Sequence, residues 1–262
     1  MKTNIILIFA FFLSVSLNMK AQEAANDNKV TDTVNRKDAN GNMYGYWIEK
    51  RGELTYKGFF ADNKKVKDWV GYYPTNMIYK VEYYTNGVKE GVSIQFDRKG
   101  KISLVEYFKN GLTHGKCILY SQYNEMPVSE TDYLLGKKNG VYRQFYENSK
   151  IQEESWYQDD LKNGSSKWNN KNGQRVAEYN YKGGNFDGLQ KTFYENDSIQ
   201  TLNNYVGNKL SGESKEYYRN GKLKLSGKYV NGLKEGAWTE YDELGKVSTV
   251  TRFKEGEEVK KK

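Results

Sequence analysis

The 262-residue sequence predicts an all-β fold, an elongated single-layer antiparallel meander of about nine 24-residue β-hairpins. Three observations predict it. An aromatic residue recurs at intervals of 24, at Tyr133, Tyr157, Tyr181, Tyr205, Tyr229 and Phe253, and, after one extra residue, at Phe60, Tyr84 and Phe108. Seven residues beyond each but the last, Phe253, stands a glycine (Gly91, Gly115, Gly140, Gly164, Gly188, Gly212, Gly236), with Lys67 in its place once. Turn chemistry arrives about every dozen residues, which excludes a helical solenoid. Self-similarity at a fixed period decides the fold before any local propensity does.

Within each unit the elements follow in order. The glycine opens a strand that reaches a third column, Tyr72, Phe96, Tyr120, Phe145, Phe193, Tyr217 and Tyr241, interrupted by Asn169. A turn follows, carried by Lys99-Gly100, Asn172-Gly173, Asn220-Gly221 and Leu244-Gly245. The second strand then leads to the aromatic of the first column. A second turn closes the unit, at Asn86-Gly87, Asn110-Gly111, Gly183-Gly184 and Asn231-Gly232. Asn-Gly pairs predict type I′ hairpin turns, because both central residues of that turn need positive φ. At ~4.8 Å per strand, about 18 strands form a rod on the order of 85 Å long.

The array spans residues 44–259. Ahead of it, Met1-Lys2 and the apolar run Ile5–Leu17 read as a signal peptide, residues 1–21, with cleavage at Ala21-Gln22. Thirteen apolar residues fall short of the roughly 20 a membrane span needs, so no stable membrane anchor is expected. No cysteine follows the run, which disfavours a lipoprotein. Residues 22–43 read as a flexible polar spacer, and Lys260–Lys262 as a basic tail. Cleavage removes Lys2 and Lys20, lowering the formal charge of +8 by two. The remaining charges alternate in sign along the strands, as on a solvated surface, and leave no nucleic-acid stripe. The expected location is periplasmic or extracellular.

The Gly-x-Trp elements at Gly45–Trp47 and Gly236–Trp238, with the Tyr-x-Asn-Gly turns, resemble those of MORN-repeat variant proteins. These are bacterial relatives of the membrane-occupation-and-recognition-nexus repeats, and many are described as YwqK-type antitoxins. The resemblance covers about four-fifths of the chain. It implies a repeat scaffold of hairpins and a role in association: scaffolding, contact with lipid, or sequestration of a toxin.

Little in the chain suits catalysis. A hydrolytic triad or a zinc site needs histidines or cysteines at defined geometry, and His114 and Cys117 are the only ones. Cys117 falls in the column of Trp47, Trp69, Tyr142 and Trp238, where it reads as a half-buried strand residue. Glu82, Glu106, Glu130, Glu154 and Glu178 recur with the repeat, as cross-strand partners of lysine do, and not as one tuned acid. The glycines open strands, so no helix N-terminus cradles a phosphate. We expect no enzyme, no metal and no cofactor. Stacked aromatic columns bury one another, and they also offer a ladder of rings to a partner. A protein partner is the first expectation, a glycan the second, and a toxin bound by an antitoxin-like protein the third. The partner-binding residues expected are Trp47, Trp69 and Tyr72, the densest aromatic group. Small or polar residues (Ser93, Ser166, Gln190, Ser214) elsewhere in the tryptophan column suggest that it is only partly structural. The export reading predicts that protein recovered from its native cell begins near Gln22. Recovery of intact Met1 in the cytoplasm by N-terminal sequencing defeats it.

Overall fold

The computed structural model describes residues 34–259. The signal segment with its Ala21-Gln22 junction, the first part of the spacer and the basic tail lie outside the described residues. Those described form 22 strands and no helix, and every strand pairing is antiparallel. They fall into two units that divide between Leu112 and Thr113.

The first unit is a meander of β1 (Arg36–Lys37), β2 (Met43–Arg51), β3 (Leu54–Ala61), β4 (Lys64–Tyr72), β5 (Ile78–Thr85), β6 (Val88–Phe96) and β7 (Ile102–Lys109). The short β8 (Leu112–Thr113) lies at the junction. The second unit continues with β9 (Gly115–Tyr120), β10 (Pro127–Leu134), β11 (Lys137–Phe145), β12 (Ile151–Gln158), β13 (Leu161–Asn169), β14 (Arg175–Lys182), β15 (Asn185–Phe186) and β16 (Gly188–Phe193). It ends with β17 (Ile199–Val206), β18 (Lys209–Tyr217), β19 (Leu223–Val230), β20 (Leu233–Tyr241), β21 (Val247–Lys254) and β22 (Glu257–Glu258). The strand count exceeds the 18 expected for two reasons. Two long strands are interrupted, just before Gly115 and Gly188, and short strands lie at either end. Residues 34–43, read from sequence as spacer, carry order of their own. β1 pairs with β2, and the Asn35 side chain accepts from Ile48 N–H and donates to Ile48 C=O, mimicking a further strand at that edge.

Most of the glycine column does not open strands but lies inside them, at a bulge; Gly115 and Gly188 alone open one. From Lys57 to Phe59 β3 advances one pair while β4 runs from Val70 back to Val66, so β4 carries two extra residues. The same jump recurs between β5 and β6, β10 and β11, β12 and β13, β17 and β18, and β19 and β20. At each bulge the column residue has φ between 70° and 114°, and Lys67 adopts 60°. Only glycine enters this region without a Cβ penalty, which is why the period is written in glycine. Opposite each bulge stands the first-column aromatic: Gly91 faces Phe108, Gly140 faces Tyr157, Gly212 faces Tyr229 and Lys67 faces Tyr84.

The two turn series differ. At Asp62-Asn63, Asn86-Gly87, Asn110-Gly111, Asp159-Asp160 and Asn231-Gly232 both central residues have positive φ, as a type I′ turn requires. At Lys99-Gly100, Asn172-Gly173, Asn220-Gly221 and Leu244-Gly245 only the glycine does, and the turn is a longer one closed by paired bonds such as Tyr218 N–H to Lys222 C=O and Gly221 N–H to Tyr218 C=O. The type I′ prediction therefore holds for one series and is corrected for the other. A three-residue loop with glycine in the left-handed position matches strand twist equally well.

Neighbouring hairpins are tied at both rims. At the long turns, Tyr73, Tyr146, Tyr194 and Tyr218 donate their hydroxyls to carbonyls 23 residues on, at Phe96, Asn169, Tyr217 and Tyr241. At the type I′ turns, the amides of Gly87, Gly184 and Gly232 donate to Lys65, Lys162 and Leu210 of the preceding hairpin.

The two reasons for glycine predict different losses. At Gly91 an added Cβ meets open space, so Gly91→Ala costs about 1–2 kcal/mol through φ alone, and Gly91→Asn costs less because asparagine tolerates that region. At Gly58, whose φ is ordinary, a Cβ would collide with the Trp69 ring, and Gly58→Ala costs about 1–3 kcal/mol by overpacking. Urea unfolding of the three variants checks this. Equal losses for Ala and Asn at Gly91 would refute the φ argument.

Candidate binding surface

Alternation along the strands gives each unit two faces. One, the ring face, carries the first-column aromatics and the tryptophans. In the first unit Trp47 packs edge-on against Phe60 at 5.4 Å between centroids, and Phe60 against Trp69 at 5.0 Å. Trp69 is only 1% exposed, and its indole N–H donates to Phe59 C=O. Gly58 pairs with Trp47 on one side and receives the Trp69 ring on the other. At the far end of the second unit Trp238 fills the space above Gly227 in the same way. Ser93, Ser166, Gln190 and Ser214 are as shielded as Trp69 and Trp238, whereas Trp47, Cys117 and Tyr142 of the same column are half-buried. Its cross-strand partners explain the sizes. On the preceding strand Trp69 and Trp238 lie against Gly58 and Gly227, whereas Ser166 faces Ser155 and Ser214 faces Asn203.

These positions correct the site read from sequence. Trp69 is out of a partner's reach. Trp47 is half-buried, with its indole N–H on Tyr44 C=O. Tyr72 lies three residues from Trp69 along an uninterrupted strand and so points to the opposite face, where the Lys57 ammonium covers its ring at 4.9 Å. The three do not form one patch. Cys117 is half-buried in β9, as its column implied.

A lysine column escaped the sequence reading. Two residues before the bulge, Lys65, Lys89, Lys138, Lys162 and Lys234 lay their ammonium groups over rings of the ring face, Lys65 at 3.6 Å from Trp69 and Lys234 at 4.4 Å from Trp238. Buried acids complete the layer. Glu82 accepts from Lys80, Lys89 and the Tyr84 hydroxyl, and Glu153 from Lys162 and Ser155. Burial pushes the Glu82 carboxyl up, but the bond from Lys89 and the two lysine charges together outweigh it and hold it below its usual value. Burial, aided by Glu82, drives the Tyr84 hydroxyl far above its ordinary range, and burial with Glu153 pushes Tyr157 up to about 12. Each of these groups is engaged by the others, so the layer is internal structure. The signal was present in the 24-residue spacing of lysine, masked by lysine's frequency elsewhere.

The opposite face differs between the units. In the second, a register row runs Glu130, Arg143, Glu154, Lys167, Glu178, Lys191, in alternating charge. In the first, the equivalent row is Val70, Val81, Ile94 and Val105, all buried. Beside it run Phe59, Tyr83 and Tyr107, with Tyr83 41% and Tyr107 37% exposed. This apolar row edged by accessible rings is the aromatic surface of the first unit. Asp68, cross-strand from Tyr83, shares it.

The MORN repeat variant matches residues 138–159, 186–206 and 210–231. Each match covers a hairpin or most of one: β11–β12, β15–β17 and β18–β19. No curated protein matches the chain.

Asp68 and Glu82 titrate with opposite sign. Burial alone raises the Asp68 carboxyl above its usual value of 3.8, so whatever it contributes to stability is present below that value and lost as pH rises through the raised one. Asp68→Asn therefore raises the melting temperature at neutral pH, with a gain that vanishes near about pH 3. Glu82 is lowered, so its contribution is present at neutral pH and lost as the carboxyl protonates. Glu82→Gln lowers the neutral-pH melting temperature, and the deficit shrinks on acidification. Parallel pH-dependent shifts in both variants would contradict these assignments.

Proposed function

We propose that the protein is a non-catalytic, exported interaction scaffold that binds a protein partner through the aromatic face of its first unit. MORN repeats generally serve as interaction modules for proteins or membranes. The observation that carries the reading is the row of half-buried Phe59 and exposed Tyr83 and Tyr107 lying beside a buried aliphatic row. Large amphipathic rings next to a desolvated stripe are the anchors on which protein interfaces concentrate their energy. Export accords with the leader-like segment at Met1–Ala21. The non-catalytic reading rests on the pairing of the buried acids Glu82 and Glu153 with lysines, which leaves neither poised as an acid or base.

The test compares the mature protein with a Tyr83→Ser/Tyr107→Ser variant as baits in envelope extract. A captured protein lost from the variant, at unchanged melting temperature, supports the assignment. Equal capture by both removes this face from consideration. Binding on a glycan array that the double variant loses moves the assignment to a sugar ligand.

A further inference from the structure

Within the aromatic face of the first unit, two successive positions break the repeat. Lys67 holds the bulge at φ 60° where the other repeats have glycine, and Asp68 follows where they carry Tyr46, Val92, Lys116, Val141, Ser165, Leu189, Glu213 or Ala237; the other acid there, Glu213, is exposed and paired with Lys215. The Lys67 ammonium lies over the Phe59 ring at 5.1 Å, and Phe59 packs on Tyr46 at 5.3 Å between centroids. Asp68 is paired in register with Tyr83. Among the described residues its carboxylate has no hydrogen-bond or ion-pair partner, and its half-burial opposes ionisation. A non-glycine residue held at positive φ costs free energy and persists where surrounding structure imposes it. An unpaired carboxylate in the same place adds a second cost.

We propose that Asp68, with the ring of Tyr83 across the strand from it, receives a lysine or arginine side chain of the protein partner. This rests on the reading of the face as a partner surface and specifies that partner's chemistry. A carboxylate beside an aromatic ring suits an ammonium or guanidinium, which gains a charge-assisted hydrogen bond and a ring face together. The alternatives fit poorly. An anion meets the Asp68 charge, and a wholly apolar contact leaves that charge buried and unpaired. A metal ion finds one carboxylate and no second ligand on β4 or β5 beside it. Lys67, the adjacent residue on the same strand, holds its ammonium over Phe59, and Glu90, across from Tyr83, is engaged by the Asn110 amide.

The probes are acetyl-Gly-Arg-Gly-amide and its citrulline counterpart, which keeps the shape and removes the charge. They are titrated into the full mature chain and followed by NMR at the Phe59 and Tyr83 rings. The arginine peptide is expected to give saturable shifts and the citrulline peptide to bind at least about threefold more weakly. Asp68→Asn should abolish the difference, and Asp68→Glu should retain part of it. Equal binding of the two peptides, or an unchanged preference in Asp68→Asn, overturns the proposal. Partner capture separates this from the broader reading. Capture lost in Tyr83→Ser/Tyr107→Ser but intact in Asp68→Asn leaves the partner surface standing and refutes the role of Asp68.

Discussion

Each hairpin depends on one backbone residue held at positive φ inside its second strand. The bulge it makes inserts two extra residues opposite the preceding strand, turns the outgoing segment, and sets an aromatic ring directly across from a residue without Cβ. The ring then covers backbone that no side chain occupies. A flat, regular sheet one layer thick has no such cover, and its residues would stand half in water on both faces. With the bulge repeated every hairpin, residues such as Val70 and Ser166 reach complete burial without a second layer.

The ring layer then sets the rest of the packing. Trp69 and Trp238 sit against glycines of the preceding strand, Gly58 and Gly227, because the two share one volume. Where that position holds serine or asparagine the column shrinks to serine. The lysines two residues before the bulge cap the rings with charge, and the buried acids Glu82 and Glu153 neutralise two of them, Lys89 and Lys162. Their attraction is that of cations to ring faces and of paired charges shielded from water, stronger here than on an open surface. The ring face is in this way closed chemically, and the opposite face is left to vary.

Much of this was legible in sequence. The period, the all-β class, the positions of the turns and the aromatic columns all follow from side chains that occur nowhere else at that spacing. What escaped was conformational. Glycine marks positive φ without saying whether it lies in a turn or a bulge, so Gly91 read as the start of a strand when it lies in the middle of β6. Asn220-Gly221 and Asn231-Gly232 are the same dipeptide in different turns, because the number of loop residues, set by the strands' register, chooses the turn type. Trp69 and Tyr72 looked like neighbours since both are aromatic and close in the chain, but a three-residue separation in an extended strand puts them on opposite faces. Serine in the tryptophan column suggested an open site, when its smallness reflects the partner across the strand.

A repeat gives a standard against which each departure can be judged. Most departures here are compensated locally: Asn169 replaces an aromatic of the third column and its amide bonds Ile151 C=O instead, and Asp159-Asp160 replaces Asn-Gly while keeping both residues at positive φ. Lys67-Asp68 is not compensated in that way. The lysine accepts a backbone conformation that glycine adopts at less cost, and the acid stands without a counter-charge across the strand from an aromatic ring. Packing alone would favour Gly-Val there, as at Gly91-Val92 in the next repeat. The aliphatic row beside it is the best buried part of that face, so the framework tolerates the cost without being improved by it. A feature that the fold carries at a loss, on the face it leaves open, is where a contact from outside the chain has the most to add.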